Sequence, residues 1–199
     1  MAPPRLVSLR ALLASHRPLD ATEAEHQRRM IELAEAGLAE QLDPFARSTF
    51  APGHFTASSF VVSPGLDAVL LILHAKLGFW MQPGGHIDQD DPDVLGAARR
   101  ELHEETGLEA LTLWPEAAEL AFLDLDIHRI PARKREPTHE HFDLRFLFRA
   151  RTTALTDSDE VHGARWVPLP QVETVRSDAS VMRAVLRIRR LLRGAPGAT

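Results

Sequence analysis

The spacing of apolar residues changes about fifty positions into the chain. Before that point apolar residues recur every three or four positions, which predicts two helices. Pro18 ends the first, and Asp20 followed by Glu23 resembles a capping box that opens the second. The second helix carries one apolar stripe: Met30, Leu33, Ala34, Leu38 and Leu42. We therefore expect a helical N-terminal extension over 1–50 and a main domain over 51–199.

In the main domain, alternating and short apolar runs predict strands separated by helices. The predicted strands are 60–62, 68–74, 80–85, 120–128, 141–150 and 166–169. Helices are predicted over 91–106 and over 177–194. Asp91 suits the N-cap of the first of these, Pro92 its first turn, and Gly107 the left-handed residue after its end. This order of strands and helices predicts a layered α/β domain.

Composition excludes several classes of function. The 199 residues include no cysteine, so disulfides, thiolate metal sites and a cysteine nucleophile are absent. A formal net charge of −5 argues against binding to duplex nucleic acid. No apolar run is long enough to span a membrane, and Arg5 and Arg10 interrupt the mildly apolar N-terminus. We expect a cytoplasmic protein with no membrane partner.

Three carboxylates are expected on one face of the predicted helix 91–106. Glu101, Glu104 and Glu105 are related by spacings of three and four, and like charges at these spacings repel. Arg100 can pair with Glu104, but one guanidinium does not neutralise three acids. A hard divalent cation would do so, because Mg²⁺ prefers carboxylate oxygens, water and phosphate. A solvated acidic face is the ordinary alternative, and the glycines that flank the helix argue against it.

The segment 85–108 resembles the Nudix box of the Nudix hydrolases. From Arg100 to Leu108 it matches every fixed position of Arg-Glu-apolar-x-Glu-Glu-x-Gly-apolar. It departs earlier, because Asp91 replaces the usual glutamate and eight residues instead of seven separate it from Arg100. The resemblance implies an α/β/α sandwich around a mixed sheet. It also implies hydrolysis of a nucleoside diphosphate linked to another moiety, which is a small-molecule substrate.

The resemblance also implies roles for individual residues. It implies that Mg²⁺ or Mn²⁺ is held by three carboxylates and one backbone carbonyl: Glu101, Glu104, Glu105 and Gly85. Arg100 would orient the acids. A general base is needed, and both Glu101 and Glu160 are candidates. The catalytic group is therefore expected to comprise Glu101, Glu104, Arg100 and Glu160.

Polar residues alternate with apolar ones along two predicted strands. In 141–150 the polar face carries His141, Asp143 and Arg145, and in 120–128 it carries Asp124, Asp126 and His128. If the two strands pair as a hairpin, these faces align into a patch of histidines and acids. The predicted substrate contacts are His86, His141, Asp143 and Arg145. For Asp124 and Asp126 we favour a half-exposed sheet with a wet face, and His54 and His74 are expected to be isolated structural histidines.

Three classes of function remain after these arguments. The leading one is a metal-dependent pyrophosphohydrolase. The alternatives are a nucleotide-sensing regulatory module with a Nudix fold and no turnover, and an isomerase of the same fold that acts on an allylic diphosphate. The three acids argue against the former, and the lack of cysteine argues against the thiol-dependent form of the latter. The N-terminal helices could serve as a lid, a homodimer arm or a packing extension.

Overall fold

The computed structural model describes residues 3–74, 78–109, 111–114, 121–133, 136–156 and 161–194. Its helices are α1 (Pro4–Ser15), α2 (Ala21–Leu38), α3 (Val94–Thr106) and α4 (Ala179–Gly194), with a 3₁₀ segment over Leu169–Thr174. Its strands are β1 (Gly53–Val62), β2 (Ala68–Leu73), β3 (Trp80–Met81), β4 (Gly84–His86), β5 (Leu111–Leu113), β6 (Asp124–Ile130), β7 (His139–Ala150) and β8 (Ala164–Pro168). No helix in these ranges has the length and apolar character needed to cross a bilayer.

The strands are hydrogen-bonded in the order β3-β2-β1-β7-β5. Three further strands pair off this path: β4 with β1, β6 with β7 and β8 with β2. The β2–β8 ladder runs antiparallel from Ala68 opposite Pro168 to Ile72 opposite Ala164. The central strands β1 and β7 are buried along almost their whole length, and this burial includes many of the polar residues that they carry.

The chain divides into two compact units, the first built from the described parts of 1–58, 84–98 and 119–146. In this unit α1 packs against α2, and α2 packs against β6. The Asp20 side chain accepts from the Glu23 backbone N–H, so it caps α2 as predicted. His26 Nδ1 lies 2.9 Å from the carbonyl oxygen of Leu125 in β6. Both helices therefore pack onto this unit, while a role as a lid or a homodimer arm and a domain boundary at residue 50 stay predictions.

The second unit is built from the described parts of 59–83, 99–118 and 147–199. Here β2 lies between β3 and β8, and α4 packs against the 3₁₀ segment. The apolar stripe of α4 is buried at Val181, Val185 and Ile188, as its spacing predicts. Asp178 accepts from the backbone N–H of Val181 and so caps α4.

The predicted start of the third helix was wrong by three residues. The helix begins at Val94, because Asp93 accepts from the N–H of Gly96 at 2.7 Å and is the capping residue. Asp91 is buried and accepts from the N–H of Asp88 at 2.7 Å instead. Asp91 thus closes a turn before the helix, and this turn coincides with the extra residue seen in the sequence.

Strand boundaries also differ from the predictions. The first strand begins at Gly53 instead of residue 60, because in its N-terminal half the apolar Phe55 and Ala57 alternate with His54, Thr56 and Ser58, a weaker signal than the apolar run 60–62. The strand predicted over 120–128 spans Asp124–Ile130. The short strand β5 was not predicted from the sequence.

Candidate functional site

The acidic face of α3 is organised by an arginine. Arg100 Nη1 donates to Glu101 Oε1 at 3.0 Å and to Glu104 Oε2 at 2.9 Å. The expected pairing of Arg100 with Glu104 is therefore confirmed, and the same nitrogen also holds Glu101. The neighbouring sector of the helix is fully buried at Ala98 and Leu102, which anchors the helix and so fixes the direction in which the acids point.

The side chains of this face remain accessible from outside the fold. The Glu101 side chain is 15% exposed and that of Glu104 is 40% exposed. Carboxylate oxygens are the ligands that Mg²⁺ and Mn²⁺ prefer, so the donor set of the face fits these ions. Glu105 is half-buried on the same helix.

Two glycines that flank this helix in the sequence are required by close contacts. Gly107 follows α3 with a φ of +71°, and a Cβ there would lie 2.5 Å from the Thr156 hydroxyl oxygen. Its N–H donates to the carbonyl of His103 at 2.7 Å, which completes the predicted helix end. Gly84 has a φ of +152°, and a Cβ there would lie 2.4 Å from Ser58 Cβ. The close backbone approach expected at the glycine pair is thus an approach to β1.

Strands β6 and β7 form the hairpin on which the predicted polar patch depends. Their antiparallel register places Asp124 opposite Arg145, Asp126 opposite Asp143 and His128 opposite His141. The predicted alignment of the two polar faces is confirmed. The four charged members of the patch are buried: Asp124, Asp126, Asp143 and Arg145.

Arg145 binds all three aspartates of this patch. Its Nε donates to Asp143 at 2.9 Å, and its two terminal nitrogens donate to Asp124 and Asp126 at 3.0 Å. Burial alone would lower the pKa of Arg145, but the three carboxylates hold that pKa above its ordinary value. Asp143 also accepts from the hydroxyl of Ser58 at 2.8 Å. The exposed wet face favoured for Asp124 and Asp126 is contradicted, because both lie in this buried network.

The roles of Asp143 and Arg145 in substrate binding stay predictions. Arg145 is 1% exposed, and its guanidinium already donates to three acids. A substrate contact at either residue would require an ion pair to open. The structure gives this group an evident second role, which is to join β6 to β7 through side chains as well as backbone.

Five histidines lie together on the first unit. Ring centroids are separated by 4.9 Å between His54 and His141, 5.2 Å between His54 and His86, and 5.3 Å between His139 and His141. His128 lies 5.4 Å from His141. His54 is therefore not isolated, contrary to the expectation from sequence.

Burial changes the titration of this cluster. Burial, with smaller contributions from the neighbouring imidazoles, lowers the pKa of His141 to about 2. Burial also lowers the pKa of His54. Both rings are consequently neutral near neutral pH.

In the described part of the chain, one group of three side chains is placed so that it could hold a metal ion: His54, His139 and His141. Their potential ligand atoms all lie within 4.8 Å of one another. Of these three, only His141 was predicted to contact the substrate. The spacing of His139 and His141 was a signal, because residues two apart share a strand face. No such signal connected His54 with this pair, because it is 85 residues from His139 along the chain. Glu160, the second candidate base, lies outside the described residues.

The profile of the NUDIX domain matches residues 53–187. The chain belongs to the Nudix family. The match covers every described Nudix-box residue, from Gly85 to Leu108, and excludes α1 and α2. No curated protein matches the chain.

Solved structures share the Nudix fold. A NUDIX-family hydrolase from Clostridium perfringens is 24% identical with a TM-score of 0.51, covering 69% of this chain and 97% of its own. A C. elegans Ap4A hydrolase is 17% identical with a TM-score of 0.52, covering 71% and 98%. The NUDIX domain of Shewanella oneidensis NrtR, complexed with ADP ribose, is 19% identical with a TM-score of 0.53, covering 77% and 97%.

These comparisons confirm two of the sequence predictions. The Nudix-type α/β/α fold with a mixed sheet is confirmed by the shared architecture. The family assignment identifies the chain as a hydrolase that acts on pyrophosphate bonds.

Proposed function

We propose that this Nudix protein is a divalent-metal-dependent pyrophosphohydrolase that cleaves a nucleoside diphosphate linked to another moiety. The observation that carries the proposal is the acidic face of α3, where Arg100 holds Glu101 and Glu104 side by side. A face meant only for solubility has no need of a shared guanidinium, a buried neighbouring sector and an adjoining glycine end.

The residues that would hold Mg²⁺ or Mn²⁺ are Glu101, Glu104 and Glu105 together with the carbonyl oxygen of Gly85. When bound, the ion would neutralise charge on the diphosphate oxygens and make a water molecule more acidic. Arg100 fixes the orientation of two carboxylates before the ion arrives, so less ordering is needed on binding.

The remaining catalytic work is the removal of a proton from the attacking water. A carboxylate within hydrogen-bond reach of that water can accept the proton, and the attack then proceeds in line at phosphorus. Glu101 is our first candidate for this base because its side chain is only 15% exposed, which favours a fixed position. Glu160 remains the second candidate.

The proposed substrate contacts are His86, His141, Asp143 and Arg145. The proposal does not specify the leaving group. Of the solved structures described above, one is an Ap4A hydrolase and another is complexed with ADP ribose. We further propose a cytoplasmic enzyme that acts on small molecules and can form a homodimer.

The test is an assay of phosphate and nucleotide release with Mg²⁺ or Mn²⁺ and a panel of nucleoside diphosphate derivatives that includes ADP ribose and Ap4A. Glu104→Gln and Glu105→Gln should lower kcat about 100-fold or more, since metal stabilisation of the transition state is worth several kcal/mol. The matched control is Glu109→Gln, which makes the same change at a side chain that is 80% exposed beyond the helix end. Equal rates in all three variants would remove the assignment, and nucleotide binding without product release would identify a binding module instead.

A further inference from the structure

Three histidines meet where β1 begins beside the start of β7. His54 is the second residue of β1, and His139 and His141 are the first and third residues of β7. Because side chains two apart on a strand share a face, both β7 imidazoles lie on one side. We call His54, His139 and His141 the histidine triad. Its ligand atoms all lie within 4.8 Å of one another.

Backbone carbonyls determine which nitrogen of two triad members carries the proton. His54 Nδ1 lies 3.1 Å from the carbonyl oxygen of Thr49, and His139 Nδ1 lies 2.9 Å from that of Pro137. A carbonyl oxygen can only accept, so each Nδ1 must be protonated, and in the neutral ring each Nε2 then bears a lone pair. Metal-binding histidines are held in the same way, with the second nitrogen donating to a carbonyl.

One of these lone pairs has nothing to accept from within the described chain. His54 Nε2 is buried and has no hydrogen-bond partner among the described residues. Buried polar atoms are nearly always satisfied, so this atom is expected to meet a bound water molecule or an ion. A cation that accepts electron pairs from imidazoles would satisfy this atom, whereas a further hydrogen-bond acceptor would not.

We propose that the histidine triad binds one divalent transition-metal ion of the zinc class. Imidazole nitrogen suits Zn²⁺ and its first-row neighbours, whereas Mg²⁺ prefers oxygen ligands, so the triad and the glutamates of α3 select different ions. Tetrahedral Zn²⁺ with bonds of about 2.0–2.1 Å separates its ligand nitrogens by roughly 3.4 Å. The triad's ligand atoms, all within 4.8 Å of one another, would therefore have to draw together by roughly 1.4 Å at most.

A fourth histidine lies next to the triad. The ring centroid of His86 lies 5.2 Å from that of His54 and 5.3 Å from that of His141. His86 or a water molecule completes the tetrahedron. With an ion bound, the ligating nitrogen of His141 donates its electron pair to the metal. That nitrogen then cannot contact the substrate directly, so metal binding and a substrate contact through it exclude each other.

The first experiment measures binding to the full-length protein. The chain is stripped with a chelator and dialysed against Zn²⁺ or Co²⁺ with Mg²⁺ in large excess, and bound metal per chain is determined by elemental analysis. We expect one equivalent of Zn²⁺ or Co²⁺ that Mg²⁺ does not displace. The Co²⁺ form should show the intense visible absorption of a tetrahedral site. Binding that disappears under excess Mg²⁺, or a weak octahedral spectrum, would overturn the proposal.

Variants then locate the ion. His54→Gln and His139→Gln should each weaken binding more than about 100-fold, since even outer partners of a metal ligand contribute 10- to 100-fold. His162→Gln is the matched control, because His162 is exposed and belongs to the second unit. Circular dichroism and melting of the metal-free variants show whether each one folds, and His141→Asn replaces any that does not. Unchanged affinity in folded triad variants would refute the site.

The same variants separate this proposal from the proposed hydrolase activity. Glu104→Gln should abolish turnover and still bind one Zn²⁺, because no glutamate belongs to the triad. Loss of Zn²⁺ from Glu104→Gln would assign the ion to α3 and overturn the inference. An active Glu104→Gln that retains Zn²⁺ would instead remove the proposed hydrolase mechanism and leave the triad site standing.

Discussion

The backbone of Gly53 lies against the backbone of Glu140 with no room for a side chain. A Cβ at position 53 would lie 1.8 Å from the carbonyl oxygen of Glu140, and φ of Gly53 is +155°. The N–H of Glu140 donates to the carbonyl of Pro52 at 3.1 Å, which holds the two segments together. This contact places the next residue, His54, beside His139 and His141, the two histidines that flank Glu140 in β7.

Gly53→Ala should therefore destabilise the protein and disturb the histidine triad together. The clash is with backbone, which cannot rotate away, so we expect a loss of about 2–4 kcal/mol in the free energy of unfolding. Urea denaturation measures the loss, and Co²⁺ absorption measures the displacement of His54.

A matched control isolates the clash from the backbone conformation. Gly163 has the same φ of +155°, but nothing lies within 4 Å of the position that a Cβ would occupy there. Gly163→Ala should lose only the conformational part, about 1 kcal/mol. Equal losses at the two positions would show that the contact with Glu140 contributes nothing.

Local features of the site were predictable from the sequence, and contacts distant in sequence were not. Glu101 and Glu104 are one helical turn apart, so helix periodicity alone places them on one face. The proximity of His54 to His141 depends on the pairing of segments 87 residues apart, for which the sequence carries no periodic signal. The start of α3 was misplaced because Asp91 and Asp93 both suit an N-cap, and only the hydrogen bond to Gly96 distinguishes them.

The polar face of β7 shows a second limit of prediction from the sequence pattern. Alternation correctly separated Asp143 and Arg145 from their apolar neighbours, but alternation does not reveal whether a polar face meets solvent. Here the hydroxyls of Thr56 and Ser58 on β1 approach Asp143 at 3.2 and 2.8 Å. Serine and threonine are compatible with either exposure or burial, so the sequence could not indicate that this face is covered.

Loss of the Arg100 side chain should reduce activity more than stability. Arg100→Gln removes the donor shared by Glu101 and Glu104, so the acids lose their orientation and repel each other. We expect activity to fall about 10- to 100-fold, with a higher Mg²⁺ concentration needed for half-maximal rate. The free energy of unfolding should change by less than about 1 kcal/mol, because these ion pairs are partly exposed.

The control for that variant is the neighbouring arginine. Arg99 lies over the ring of Phe148, 5.2 Å from its centroid, and has the same charge. Arg99→Gln should leave the Mg²⁺ dependence unchanged while it loses some packing. A shift of the Mg²⁺ dependence in both variants would point to general electrostatic attraction instead of orientation of the acids.

Replacement of Arg145 should be among the most destabilising changes in the chain. Arg145→Met leaves Asp124, Asp126 and Asp143 buried without their shared cation, and breaking such a pair costs about 3–5 kcal/mol. Arg145→Lys keeps the charge but cannot donate to three acids in the same fork geometry, so an intermediate loss is expected. Urea denaturation monitored by circular dichroism ranks the variants. A Lys variant as stable as the unsubstituted protein would show that charge alone accounts for the network.

The buried imidazoles should make the metal-free protein sensitive to acid. His141 faces His128, His54, His86 and His139, and its pKa is lowered from 6.5 to about 2. Between these values the unfolded chain binds a proton that the native chain does not. Stability is therefore fully present above about pH 6.5 and falls as the pH decreases toward 2, by up to about 1.4 kcal/mol per pH unit for this one group.

The measurement is the free energy of unfolding in urea, with a chelator present, at several pH values between about 7.5 and 4.5. His141→Gln removes the titrating group, so its stability should decline less steeply with acid than that of the unsubstituted chain. His162→Gln, at an exposed position, should retain the original slope. Because the lowered pKa comes first from burial, a variant slope as steep as the original would mean that the His141 ring takes up a proton in the folded state as readily as in the unfolded one.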